Sequence, residues 1–201
     1  MLHDKISGYN VILASASPRR KMLLEGLGIS FTFEPFNTVD ESFPDALSKF
    51  EIPVYLAEKK SRLFPKTLKE NDLLITADTI VWLNNTAINK PVDRNDAIRM
   101  LTLLSGNMHE VVTGVTLRSA KLEYSFYSHS EVFFSPLKQE EICYYVDHYS
   151  PYDKAGAYGI QEWIGYVGIS EIRGSYFNVM GLPVQKLYHE LERFIDEHQK
   201  L

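Results

Sequence analysis

Short apolar runs alternate with helical periods along the whole chain, and that alternation restricts it to a sheet packed with helices. Asn10 to Ala14 (NVILA) is a compact apolar run, best read as a buried strand. Ser17 and Pro18 then supply a helix start, serine as N-cap and proline at the first helical position. That helix should stop near Gly26 or Gly28. A second helix is predicted from Glu51 to Phe64, with Ile52, Tyr55, Leu56 and Leu63 on one stripe. Asp72 to Ala77 is another buried strand, and Ile80 to Leu83 should continue into a hairpin through Asn84-Asn85. Asp93 caps a third helix that turns Ala97, Met100, Leu101 and Leu104 inward and ends at Gly106. Two long strands follow, Glu110 to Arg118 and Tyr124 to Phe134. Ile142, Tyr145, Val146 and Tyr149 mark a further helix, and Pro183 opens the last, with Val184, Leu187, Tyr188, Leu191 and Ile195 as its apolar face. The class is α/β (mixed α+β), and the long central strand pair favours a mixed sheet over a purely parallel one.

At 201 residues, one domain spanning 1–201 is the default and two small ones are the alternative. The hydrophobic share of 45% is that of an ordinary globular chain, enough for a sizeable core without staples. A single cysteine, Cys143, leaves no intrachain disulfide framework. The N-terminus has no secretory pattern, and no stretch approaches the roughly 20 apolar residues of a membrane span. A soluble cytoplasmic protein is the simplest expectation. The formal charge of −5 argues against gripping long nucleic acid, which needs a basic face. It leaves room for a small anionic ligand held by a few local cations.

Several segments could carry chemistry. In LASASPRRKMLL (Leu13 to Leu24) a buried strand runs into a helix start, a place that favours an anion. Arg19 and Arg20 oppose the helix dipole there unless something negative lies between them; two solvated arginines on a capped surface helix are the alternative. In TADTIVWL, Asp78 stands at the end of an apolar strand, where a carboxylate can hold a divalent metal or take a proton from water. An Asx turn closing the strand is the plainer reading. Lys60 lies on the apolar stripe of its helix, either snorkelling past the core edge or pointing into a polar cleft. Glu41, in TVDES, and Lys90, before Pro91, are weak on their own. The glycine-rich DKAGAYGIQ, with IRGSYFNVMGLP beyond it, lets the backbone approach a ligand, and Gln161 could read a base edge through both amide functions. Tight turns between short strands would explain the same glycines.

Other site classes are missing. There is no G-x-G-x-x-G and no P-loop pattern, and the six histidines show no paired-ligand spacing.

Taken together, the segments LASASPRR, ADTIV, Lys90-Pro91, Met100 to Gly106 with His109 and Val112-Thr113, DKAGAYGIQ and GSYFNVMGLP resemble the Maf family of nucleoside triphosphate pyrophosphatases. The resemblance runs from Leu13 to Val184. It implies an elongated mixed α/β fold with two lobes flanking a nucleotide-binding cleft, commonly as a homodimer. It also implies hydrolysis between the α and β phosphates with a divalent metal, Mg²⁺ or Mn²⁺. Carried over, Asp78 matches the family's catalytic acid, as base or metal ligand, and Glu41 matches the polar lining of the cleft, where the two carboxylates would hold the metal or activate water. Arg19, Thr79 and Gln161 match positions tied to substrate choice; Ser15, Arg20, Lys60, Lys90 and Lys154 match the polar lining of the cleft. The GAYGIQ form is similar to the branch acting on dTTP, UTP and modified pyrimidine nucleotides. Asn89 departs from the glycine frequent before the lysine. A competing reading is a nucleotide-binding regulator of cell division or stress with incidental hydrolysis, but two carboxylates among five cations look arranged for metal-assisted chemistry.

Overall fold

A computed structural model describes residues 1–36 and 40–200. Thr38 and Val39, which open the TVDES segment, lie outside the described residues. In chain order the elements are α1 (Leu2–Ile6), β1 (Asn10–Ala14), α2 (Pro18–Glu25), β2 (Thr32–Glu34), α3 (Glu51–Arg62), β3 (Asp72–Leu83), β4 (Thr86–Ile88) and α4 (Arg94–Leu104). Then come β5 (Met108–Arg118), β6 (Glu123–Phe134), α5 (Gln139–Tyr149), a 3-10 turn (Ala155–Ala157), α6 (Trp163–Gly168), β7 (Ile169–Arg173), α7 (Tyr176–Met180) and α8 (Val184–His198).

The expected mixed sheet is present. Seven strands run in the order β2-β1-β3-β5-β6-β7, with β4 paired to β3. Strand β1 pairs in parallel with both neighbours, Asn10 opposite Asp72 and Ala14 opposite Glu34. The β3–β4 and β6–β7 pairs are antiparallel. The turn between β3 and β4 is the predicted Asn84-Asn85, both residues left-handed at φ 50° and 61°, as a tight hairpin requires. Val11 to Ala14 and Leu73 to Asp78 are buried without a break, which agrees with strands covered on both faces.

Helix boundaries follow their caps. Ser17 accepts the backbone N–H of Arg20 at the start of α2, and Asp93 accepts that of Asp96 at the start of α4. Ala97, Met100, Leu101 and Leu104 are all buried, as predicted. Helix α3 ends at Arg62, two residues short of the expected Phe64, and Leu63 is 56% exposed rather than part of the apolar stripe. Tyr149 likewise lies at the exposed end of α5.

The chain divides into two compact units. The first comprises Met1–Asp78, Thr113–Ser128 and the segment from Gly181 onward; the second comprises Thr79–Val112 and His129–Met180. Strands β3, β5 and β6 each contribute residues to both. In the first unit, Ile12, Ala14, Phe64 and Leu74 form a core cluster with Phe36 and Leu68 against it. In the second, Arg94 of α4 forms a bidentate pair with Asp147 of α5 at 2.6 and 2.8 Å. Buried His109 meets the Tyr158 hydroxyl at 2.7 Å, with Phe134 packed on both rings. Among the described residues no helix is long and apolar enough to cross a membrane.

Candidate active site

The first unit gathers a compact ionic group. Helix α3 is keyed to β3 by Thr76, whose hydroxyl donates to the Ala57 carbonyl at 2.8 Å. Two residues further along β3, on the same strand face, stands Asp78; three residues further along α3 stands Lys60. That spacing brings the Lys60 ammonium to 2.5 Å from Asp78 Oδ1 and 3.0 Å from Glu41 Oε1. The Lys60 and Asp78 side chains are only 10% and 9% exposed, so the pair is screened from water, whereas Glu41 is 44% exposed. Lys60 therefore points into a polar group rather than snorkelling outward.

Asp78 is not at the end of a strand. It lies inside the twelve-residue β3, so the Asx-turn reading fails. Its buried counter-ion on α3 allows a carboxylate to occupy the middle of an apolar run.

The turn from β1 into α2 supplies the arginines. Ser15 is buried, and its hydroxyl accepts the backbone N–H of Ser17 at 3.2 Å and lies 3.5 Å from Arg20 Nη1. Arg20 Nε donates to the Gly181 carbonyl at 2.8 Å, which fixes the guanidinium plane. Burial pushes the Arg20 guanidinium below its usual range, Asp78 and Glu41 oppose that shift, and Arg19 adds to it. The negative charge that the opposing dipole demanded is thus supplied in part by the two carboxylates. Arg19 is half-buried in the same first turn.

The second unit holds Thr79, Lys90, Lys154 and Gln161. Thr79 lies on the same face of β3 as Val81, the residue that packs against Gly156. Gly156, at φ 71°, turns the chain back so that its N–H reaches the Asn89 carbonyl at 3.1 Å, next to exposed Lys90. Lys154 is buried, its ammonium 2.7 Å from Asp153 Oδ1 and 3.2 Å from Glu162 Oε1. The other Glu162 oxygen accepts the Tyr145 hydroxyl, and that hydroxyl accepts the Gly159 N–H at 3.0 Å. Burial first, and then the Glu162 carboxylate, holds the Tyr145 phenol well above its ordinary range. Gln161 Oε1 is buried and has no hydrogen-bond partner among the described residues. Such an atom costs about 1–3 kcal/mol unless something donates to it.

Sequence reading named Lys154 and Gln161 but passed over Glu162, Asp153 and Tyr145. A carboxylate directly after the glycine-rich run, with a lysine eight residues before it, was the available signal. Among the described residues no three His, Cys, Asp or Glu side chains cluster as a metal site.

Comparison with known proteins agrees with this architecture. The family model described as Maf-like protein matches residues 10–194, across both units. A protein of Bacteroides fragilis named dTTP/UTP pyrophosphatase is 52% identical over 92% of this chain and 96% of its own length. Proteins of the same name from Parabacteroides distasonis and Cytophaga hutchinsonii are 49% and 47% identical, covering 95% and 100% of this chain and 99% and 91% of their own lengths. Among solved structures, a HAM1 protein from Coxiella burnetii superposes with a TM-score of 0.51 over 92% of this chain and 99% of that one, at 12% identity, a likeness of fold alone. With a family model over nearly the whole length and relatives sharing about half of its residues, the chain belongs to the Maf family.

Proposed function

We propose that the chain hydrolyses nucleoside triphosphates, dTTP and UTP first among them, to the monophosphate and pyrophosphate. The observation that carries this reading is the buried Asp78 carboxylate held with Glu41 by one ammonium, beside two arginines. The names of the relatives support the substrate class.

In this reading Asp78 takes the proton of the attacking water as its oxygen bonds to phosphorus. The α–β bridging bond breaks and pyrophosphate leaves with the electron pair. Lys60 guards Asp78 at rest and turns to a phosphate oxygen when the substrate arrives. Ser15, Arg19 and Arg20, with Lys90 and Lys154, bind the phosphates, whose roughly four negative charges need several cations. Gln161 accepts from the base with its unpartnered oxygen, and Thr79 and Arg19 contribute to nucleotide choice.

The residues present fit a divalent metal, Mg²⁺ or Mn²⁺. Asp78 and Glu41 both reach within 3.0 Å of a single cationic nitrogen, and hard cations commonly take one or two carboxylates with phosphate oxygens completing the shell. Bound there, the metal would neutralise phosphate charge and lower the cost of attack. A cytoplasmic homodimer that binds neither nucleic acid polymer nor membrane completes the proposal, its net charge of −5 being unsuited to a polyanion.

The test is a panel of canonical and modified triphosphates with Mg²⁺ or Mn²⁺, resolving pyrophosphate from orthophosphate. Pyrophosphate from dTTP or UTP that falls by orders of magnitude in Asp78→Asn is the expected result. Near-normal rates in that variant would reject Asp78 as the catalytic group. Gln161→Ala should reorder the nucleotides more than it slows the best one. Tight binding without turnover across the panel would make the protein a nucleotide-responsive regulator instead.

A further inference from the structure

The loop from Asp153 to Glu162 carries Lys154 and Gln161, and its two ends are tied together by groups that the hydrolytic reading does not use. Glu162 places one carboxylate oxygen on the Lys154 ammonium and the other on the Tyr145 hydroxyl. Tyr145 also accepts the Gly159 N–H, in the middle of the loop, from its own fully buried position on α5. The Glu162 backbone N–H closes a turn onto the Gly159 carbonyl at 3.0 Å. A Cβ at Gly159 would sit 2.8 Å from the Glu162 carboxyl carbon, so the carboxylate lies directly on the loop backbone. Asp153, the other partner of Lys154, is 60% exposed, whereas Glu162 is 20% exposed. Of the two carboxylates, the sheltered one sets where the ammonium points.

We propose that Glu162 and Tyr145 are positioning residues for nucleotide binding, holding the Lys154 ammonium and the Gln161 amide ready for the incoming triphosphate. Neither touches substrate. Tyr145 orients Glu162, Glu162 orients Lys154, and the peptide joining Glu162 to Gln161 is held by the same anchor. The inference rests on the proposed roles of Lys154 and Gln161.

The test uses Tyr145→Phe, which removes one oxygen and keeps the ring that fills the core, together with Glu162→Gln and the double variant. Steady-state kinetics with dTTP and UTP are run beside calorimetric binding of the non-hydrolysable α,β-imido analogue of UTP and thermal unfolding. Each single variant should raise KM, and the analogue Kd, about tenfold, as loss of a hydrogen bond to a charged group implies. Turnover should stay within about twofold. The double variant should be no worse than the worse single one, because both break one relay. Unchanged KM and Kd in Tyr145→Phe would overturn the proposal. So would losses that simply multiply, or a fall in turnover that tracks a lower Tm with KM intact, the mark of a merely structural role. The proposed function fails separately: a wild-type chain that binds the analogue but releases no pyrophosphate refutes hydrolysis, and the binding data alone then judge the positioning role. A wild-type chain that does not bind the analogue overturns both.

Discussion

Replacing Lys60 with methionine tests the ionic group around Asp78 most directly. The substitution keeps an unbranched stem on the buried side of α3 and deletes only the ammonium. Asp78 loses a partner at 2.5 Å while remaining 9% exposed, and Glu41, 44% exposed, loses one at 3.0 Å. The exposed contact is worth at most about 1 kcal/mol. Breaking a buried pair by removing one member costs about 3–5 kcal/mol, because the survivor is left as an uncompensated charge. Arg20 also interacts with Asp78 and softens that loss, which puts the expected cost at about 3 kcal/mol. Asp78→Asn is the asymmetric counterpart. Lys60 then keeps Glu41, and the cost should be about 1 kcal/mol. The double variant leaves no buried carboxylate facing a missing ammonium, and it should cost less than the two singles added together. Urea unfolding at neutral pH with a chelator present measures all three. Asp78→Asn destabilising as much as Lys60→Met, or strictly additive losses, would refute the view that a sheltered carboxylate depends on this one ammonium.

Three other outcomes are expected. Millimolar Mn²⁺ should raise the Tm of Lys60→Met more than that of the wild type and leave Asp78→Asn unmoved, since the first variant removes the ammonium that faces both carboxylates and the last removes one carboxylate; equal shifts in all three would argue against metal at Asp78 and Glu41. Burial lowers His109 from 6.5 to about 3, so the unfolded chain binds the extra proton between those values. Its stabilising share is complete above pH 6.5 and is lost on acidification, by up to about 1.4 kcal/mol per pH unit; His109→Gln should flatten that slope in unfolding measured from pH 4 to 8, and an unaltered slope would sink the assignment. At Gly114 an added Cβ would stand 2.3 Å from the Pro53 carbonyl carbon, so Gly114→Ala must push α3 away from β5. A loss of about 1–3 kcal/mol is expected, with kcat/KM falling beyond the unfolded fraction because α3 carries Lys60; an alanine variant with wild-type stability and kinetics would show that the close approach is not required.

Local signals were the legible ones. The NVILA run, the Ser17-Pro18 start, the Asp93 cap and the Asn84-Asn85 hairpin each act within a few residues, and the structure holds all of them where they were expected. Asp78 was misplaced for the converse reason. An aspartate in an apolar run reads as a strand end, and the lysine that keeps it inside the strand sits eighteen positions earlier on another element. The place of Lys60 on its helical stripe was visible, but whether it snorkels outward or points into a cleft, and with which partners, was not. Helix α1 is five residues long and α6, β7 and α7 lie in or beside the glycine-rich stretch, where apolar periodicity is too short to register. The tie from Tyr145 to Glu162 spans seventeen residues and was invisible to any spacing rule.

Asp78 and Thr79 are neighbours on β3, and a strand shows successive side chains to opposite sides. The two therefore face opposite sides of the strand, and under the proposed roles odd and even positions would carry different tasks. Losing one residue between Asp72 and Ala77, with the β1 pairing at Asn10 and Leu13 kept, would exchange their sides at a stroke. Losing two would restore their sides, though not their depth along the strand. Length change in this stretch is thus constrained by parity as well as by size, whereas a side chain swapped at Thr79 leaves the phase of Asp78 untouched.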